Sequence, residues 1–233
     1  NYEKTFGEPP KQVYTSPLEK GDYPELDTSD RLEAKEIVIY QSMIGALQWA
    51  VTIGRFDIQT AVMTLSGFRA APRKGHLDRA KRIYGYLSKM RHAAIRIRTE
   101  EPDYSDIPDF QYDWSKSVYG ELQEVKPTDA PEPLGNYVTM THYVNANLMH
   151  DVITGRSVTA VIHLANKTPL DTYSKKQSTV ETATYGSEFV AARTCVEQII
   201  KLRALFRYLG VPIRDKSYMY GDNKSVVDSS MQV

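Results

Sequence analysis

Apolar residues recur along this chain with two different periods, and the change falls near residue 136. Before it, Ile37, Tyr40, Ile44, Leu47 and Val51 follow one another at spacings of three and four, the signature of an amphipathic helix. Asp57 is placed to cap a second helix carrying Val62 and Leu65. AlaProArgLysGly at 71–75 reads as a turn, and a third helix follows with Leu77, Ala80, Ile83, Tyr84 and Leu87 on one side. Arg79, Lys81, Arg82 and Lys89 fall on or near its other side. After residue 136 the period becomes two. Segments 137–144 and 157–164 alternate and flank the turn signal ThrGlyArg (154–156), so they predict an antiparallel hairpin. ThrProLeuAspThrTyrSer (168–174) supplies a third strand. The longest helix is predicted around 181–209, where Tyr185, Phe189, Ala192, Val196, Ile199, Leu202, Phe206 and Leu209 form one apolar stripe with Phe189 buried. Arg193, Glu197 and Lys201 form an i,i+4 ladder on its solvent side, and Gly210 and Pro212 stop it. SerTyrMetTyrGlyAsp (217–222) is a fourth strand ending at Asp222, and a further helix starts at AsnLysSerValValAsp.

The expected fold class is α/β: a mixed sheet with a crossover helix, preceded by a small helical domain. The expected organisation is an extended lead-in (1–35) with four prolines, a helical domain (36–98), an acidic proline-rich connector (99–136) and the sheet domain (137–233). Tyr104, Phe110, Tyr112 and Trp114 are the residues that could order the connector. A meander followed by a right-handed crossover places strands 1 and 4 side by side.

The overall charge is zero, with 29 basic and 29 acidic residues, so no global field announces a polyanionic partner. Its distribution is less even. Residues 69–98 hold ten Lys or Arg and one Asp, whereas residues 99–132 hold ten acidic residues and two lysines. This predicts a basic face able to follow a phosphate backbone, beside a solvated acidic segment. The single cysteine, Cys195, cannot form an intrachain disulfide; it reads as a small core residue, and a reduced intracellular setting is expected. No apolar run is long enough to cross a bilayer. The start carries neither a signal-peptide pattern nor a methionine, which fits a piece of a longer polypeptide.

Three polar positions fall where an α/β sheet gathers its chemistry. Asn145 is expected at the end of strand 1, Glu188 in the first turns of the long helix, and Asp222 at the end of strand 4. Carboxylates converging at one point repel unless cations neutralise them, and hard oxygen donors of this kind suit magnesium. Each position also has a plain structural reading. Glu188 could serve the helix dipole, Asp222 could cap the next helix, and Asn145 could close a turn.

The same residues carry a resemblance to copia-type retrotransposon polyproteins, covering the end of reverse transcriptase and most of its ribonuclease H domain. TyrGlnSerMetIleGlyAlaLeuGlnTrp (40–49), ArgPheAsp (55–57) and LysArgIleTyrGlyTyrLeu (81–87) resemble the segment between palm and ribonuclease H. SerLysLysGln (174–177), SerGluPheValAla (187–191) and GlyAspAsnLysSer (221–225) resemble its ribonuclease H motifs. The connector and AlaAsnLeuMetHisAsp (146–151) look most like elements of algae such as diatoms.

The resemblance implies a ribonuclease-H-like sheet domain behind a thumb-like helical domain, and hydrolysis of RNA in RNA–DNA hybrids with two Mg2+ ions. Asn145, Glu188 and Asp222 would be the catalytic and metal-binding positions. Arg73, Lys74, Arg79, Lys81, Arg82, Lys175 and Lys176 would contact an RNA–DNA hybrid or template–primer duplex. The family recognises such duplexes by shape and 2′-hydroxyls. The upstream polymerase domains of the same polyprotein would be partners, and the setting a cytoplasmic virus-like particle or the nucleus. The family has Asp where this chain has Asn145, and its fourth carboxylate would come from beyond Val233. The expected state is therefore a weak or inactive nuclease that binds magnesium weakly at best. The alternatives are a domesticated or engineered ribonuclease-H-like module retained for binding, or another ribonuclease-H-like enzyme such as a transposase or integrase.

Overall fold

The computed structural model describes residues 2–107, 113–118, 120 and 124–231; Phe110 and Tyr112 lie outside them. The chain divides into two compact units. The first comprises Asn1–Ile95, Met149–Val158 and Thr172–Val180; the second comprises Arg96–Leu148, Thr159–Asp171 and Glu181–Val233.

The first unit is built on three helices, α2 (Ala34–Thr52), α3 (Gln59–Ser66) and α4 (Lys74–Lys89), after a short α1 (Tyr2–Phe6). Its core gathers Tyr40, Ile44, Leu47, Val62, Leu65, Leu77, Ala80 and Ile83, whose three-and-four spacing predicts these helices, together with Met43, Ile58 and Ala61. The Tyr40 hydroxyl, buried among them, donates to the Leu65 carbonyl at 2.6 Å, which meets the cost of burying a polar group. Asp57 does not cap α3. It sits in the 3₁₀ turn Phe56–Ile58, receives both a bidentate bond from Arg55 and the Tyr86 hydroxyl, and leaves Ile58 at the N-cap. A carboxylate offered a guanidinium and a phenol gains more from them than from one backbone amide.

Tyr2, Phe6, Tyr14 and Leu18 of the lead-in pack against this core. Two glycines of α4 make room for it. A Cβ at Gly75 would lie 1.8 Å from Asp27 Oδ2, and one at Gly85 would lie 2.4 Å from the Gln12 carbonyl oxygen. His76 ties the same surfaces together. Its Nδ1 accepts the Arg73 amide at 3.0 Å and its Nε2 donates to the Pro24 carbonyl at 2.8 Å. Burial lowers its pKa and favours this neutral form.

The sheet has four strands, β1 (Val138–Asp151), β2 (Arg156–Ala165), β3 (Thr168–Lys176) and β4 (Ile213–Tyr220), in the order β3-β2-β1-β4. Short turns join β1 to β2 and β2 to β3, as antiparallel neighbours require. Gly155, with φ +68°, lies in the first of them. Asp151 braces that turn by accepting the Ile153 and Thr154 amides and pairing with Lys176, and its pKa falls to about 2. β4 joins β1 in parallel after the helix α5 (Thr184–Tyr208), the crossover arrangement expected from the meander-helix-strand order.

α5 lies on the sheet by a face other than the predicted one. Ser187, Glu188, Ala191, Cys195 and Arg203 are buried, while Phe189 is 48% and Leu209 66% exposed. Small side chains let the helix come close to the strands, and the bulky apolar stripe is turned aside. The predicted Arg193–Glu197 pair is present at 3.1 Å on the exposed side. Residues 99–104 bond within this second unit: Asn166 Nδ2 donates to the Thr99 carbonyl, Glu101 holds Arg214 and Thr139, and Tyr104 meets Thr141.

Alanine at Gly45, an open position within α2, is expected to stabilise the first unit by up to about 1 kcal/mol. Alanine at Gly85 should instead cost about 1–3 kcal/mol, because overpacking there outweighs helix propensity. Urea unfolding midpoints of the two variants, expected on opposite sides of the parent, test the seating of the lead-in on α4.

Candidate functional site

β4 ends at Tyr220, opposite Tyr143 of β1, while β1 runs on to Asp151. Asn145 therefore lies inside strand β1 and not at its end, and Asp222 lies two residues past the end of β4. Beyond Tyr143, β1 has no strand partner on that side. The Ala146 amide finds one in Glu188, whose Oε2 accepts it at 3.0 Å. Glu188 is 8% exposed and reaches the strand from the second turn of α5. Asn145 and Asp222 are each two residues past the paired Tyr143 and Tyr220, whose rings stack at 5.2 Å, and both are exposed. Side-chain alternation puts Asn145 on the Tyr143 face of β1.

The electrostatics link two of the three positions. Burial pushes the Glu188 carboxyl above its usual range, the Ala146 amide opposes that, and the nearby Asp222 charge adds to it. The simpler structural roles are filled otherwise. α6 (Lys224–Ser230) is capped by Asn223, whose Oδ1 accepts the Val226 amide at 3.1 Å, and Asn145 closes no turn. The positions thus offer two carboxylates and one amide. Among the described residues no three His, Cys, Asp or Glu side chains gather as a cation site. Such a set does not fit two divalent cations held close together, because their mutual repulsion needs several carboxylate charges to offset it.

The basic residues expected to face a nucleic acid lie in the first unit, and most are already paired. Arg79 is gripped by Asp22 through two bonds of 2.7 Å and by Asp27. Arg82 pairs with Glu19 at 2.7 Å and lies over the Tyr14 ring. Arg73 donates to the Ser29 carbonyl, Lys74 meets Asp30, Lys81 meets Asp78, and Lys176 meets Asp151. Lys175 is exposed. On the outer side of α4, Arg79 and Arg82 are half-buried, because the acidic stretch 19–30 of the lead-in lies on them.

The sequence reading missed His142 and His163. They sit at inward positions of β1 and β2, and their Nδ1 atoms are 2.7 Å apart. The one available signal was a histidine at a core parity position in each of two alternating segments.

The chain is 31% identical over 106 residues to a Saccharomyces cerevisiae protein assigned to transposon Ty5-1, YCL074W. It is related to a retrotransposon protein. The match covers 46% of this chain, and it spans 31% of that protein's length. No protein-family profile and no solved structure matches the chain. Among the described residues no helix is long and apolar enough to cross a membrane.

A carboxyl group whose folded pKa is raised adds stability below its unfolded pKa and loses it as pH rises through the folded value. Glu188→Gln keeps an oxygen for the Ala146 amide and removes the charge beside Asp222. The variant should therefore melt higher than the parent at pH 7–8, with the difference closing towards pH 4. Equal melting temperatures at pH 8 would refute the electrostatic account of this pair.

Proposed function

We propose that the chain is the thumb and ribonuclease H portion of a copia-type reverse transcriptase, with its hybrid-cleaving centre disarmed at residue 145. The observation that carries this reading is the seat of Glu188 on the Ala146 amide of strand β1, just past the point where β4 stops and within the field of Asp222, in a chain similar to a Ty5-1 protein. The strand order β3-β2-β1-β4 with a crossover helix supports a ribonuclease-H-like domain. The partner is an RNA–DNA hybrid or a template–primer duplex, and upstream polymerase domains complete the enzyme.

Asn145 contributes a neutral amide where the resemblance calls for a bridging carboxylate. Its nitrogen does not ligate a hard cation, and its oxygen brings no charge. Glu188 and Asp222 remain able to hold one magnesium ion weakly. Loss even of an outer partner of a metal ligand costs about 10–100-fold in affinity or activity, and loss of a ligand charge should cost at least that. A binding module retained after loss of chemistry is the second reading, favoured by the amide itself.

Three measurements test this. Added magnesium should leave the melting temperature of the parent nearly unchanged and raise that of Asn145→Asp, since a ligand that binds only the folded state stabilises it. The parent should cleave an RNA–DNA hybrid negligibly; robust magnesium-dependent cleavage by the unaltered chain would overturn the proposal. In hybrid binding, the logarithm of affinity against that of salt should have a slope well below the roughly six that seven unpaired cations would give. Six of those side chains already have partners.

A further inference from the structure

Two contacts tie helix α5 to the sheet at matched intervals. One is the Glu188–Ala146 bond. The other is a chain of three side chains: His142 on β1 meets His163 on β2 at 2.7 Å, and His163 Nε2 meets Gln198 Oε1 on α5 at 2.8 Å. Gln198 follows Glu188 by ten residues, about 15 Å of helix. His142 precedes Ala146 by four, about 13 Å of strand. The two ties are rungs of one ladder, so a change in one shifts the other.

The bonding fixes where the protons are. Gln198 Oε1 only accepts, so His163 Nε2 donates and its Nδ1, in a neutral ring, accepts. His142 Nδ1 must then donate, leaving a lone pair on His142 Nε2. That nitrogen is buried and has no hydrogen-bond partner among the described residues, and the two rings are 0% and 1% exposed.

We propose that His142, His163 and Gln198 form a positioning chain that sets Glu188 against β1 and lets it go when an imidazole takes up a proton. This deepens the nuclease reading, because the carboxylate it positions belongs to the proposed centre; the hydrogen-bond chain stands without that reading.

An added proton has no good place. On His142 Nε2 it would be a buried donor without an acceptor, in the field of Arg203. On His163 Nδ1 it would face the His142 N–H, unless His142 changed tautomer and again buried an unpaired donor. The charged groups around the pair offer no relief. Arg203 on α5 is itself held by Glu124 and donates to Ser217. Cys195, also buried on α5, has its thiol pKa pushed up to about 12 and stays neutral. On β4 the residue opposite His142 is Met219. Burial, then His163, then Arg203 lower the His142 pKa to about 4. With the folded pKa depressed, the unfolded or opened state binds more protons. The contact is therefore fully present above about pH 6.5 and is lost as pH falls towards 4.

Imidazole 15N spectra and amide hydrogen exchange of the full chain test the proposal. At pH 7 His142 should be protonated at Nδ1 and His163 at Nε2. Protection of the Ala146 amide, corrected for its intrinsic rate, should fall more than tenfold from pH 7 to pH 5, while Ile44 and Leu47 in α2 keep theirs. His142→Asn retains a donor at the same place and cannot titrate; it should keep the pH 7 protection and flatten the pH response. His142→Leu should lose Ala146 protection at both pH values. Opposite tautomers, or a flat parent profile, would overturn the proposal. So would an Asn variant with the parent's pH response, because that would assign the response to the Glu188 carboxyl itself. Failure of the nuclease reading would appear only in cleavage, and failure of the positioning chain only in exchange.

Discussion

Strand β4 stops before β1 does, and a part-buried backbone amide left without a partner is costly. That one constraint organises the second unit. It makes the Ala146 amide a fixed donor at the edge of the sheet and gives Glu188 a reason to be buried despite its charge. It also sends the chain after Tyr220 directly into the Asp222–Asn223 turn, where Asn223 caps α6. The crossover helix must then present Glu188 at one height along the strand. The His163–Gln198 contact and the small buried face of α5, Ser187, Ala191 and Cys195, set that height.

The first unit settles a different conflict, between a helix rich in cations and a chain of zero net charge. α4 carries its positive charge beside two glycines: the acidic stretch 19–30 comes close at Gly75, and Gln12 and Tyr14 come close at Gly85. Arg79 between Asp22 and Asp27 is a partly buried cluster. Breaking it would leave two carboxylates without their cation, which costs far more than losing a surface pair. Arg73, Lys74, Arg79 and Arg82 of the basic run therefore form a docking strip for the chain's own N-terminal segment. Zero net charge over the whole chain is consistent with this internal pairing.

Much of this architecture was legible because it depends on period. The switch from spacings of three and four to alternation marks the helices α2 to α4 and the strands β1 to β3, and Gly155 marks their first turn. The buried face of α5 was not legible. Its larger apolar residues, Tyr185, Phe189, Val196 and Ile200, outrank Ser187 and Ala191 on any hydrophobicity scale, yet close packing on a sheet selects for small size. The capping role expected of Asp57 fails, and the pairing of Arg79 was not legible, for a related reason. Their partners, Arg55 with Tyr86 and Asp22 with Asp27, were all in view, but only the fold decides which polar groups meet. Of the candidate site, the contact of Glu188 with β1 and the nearby charge of Asp222 agree with strand adjacency. The Ala146 amide that holds Glu188 could not be read from side chains at all.

The amide at Asn145 makes electrostatic sense in this setting. Glu188 already carries an unfavourable charge, because burial and Asp222 both disfavour its ionised form and a single backbone donor opposes them. A third carboxylate two residues past Tyr143 would add to that repulsion. Such a site would lean on bound cations for its stability, as clustered carboxylates do. With asparagine there, the architecture of the centre can persist without an ion. On the proposed reading, loss of chemistry and gain of cation-independent stability are two consequences of the same missing charge. That reading accounts for Glu188 and Asp222 remaining where the third carboxylate does not.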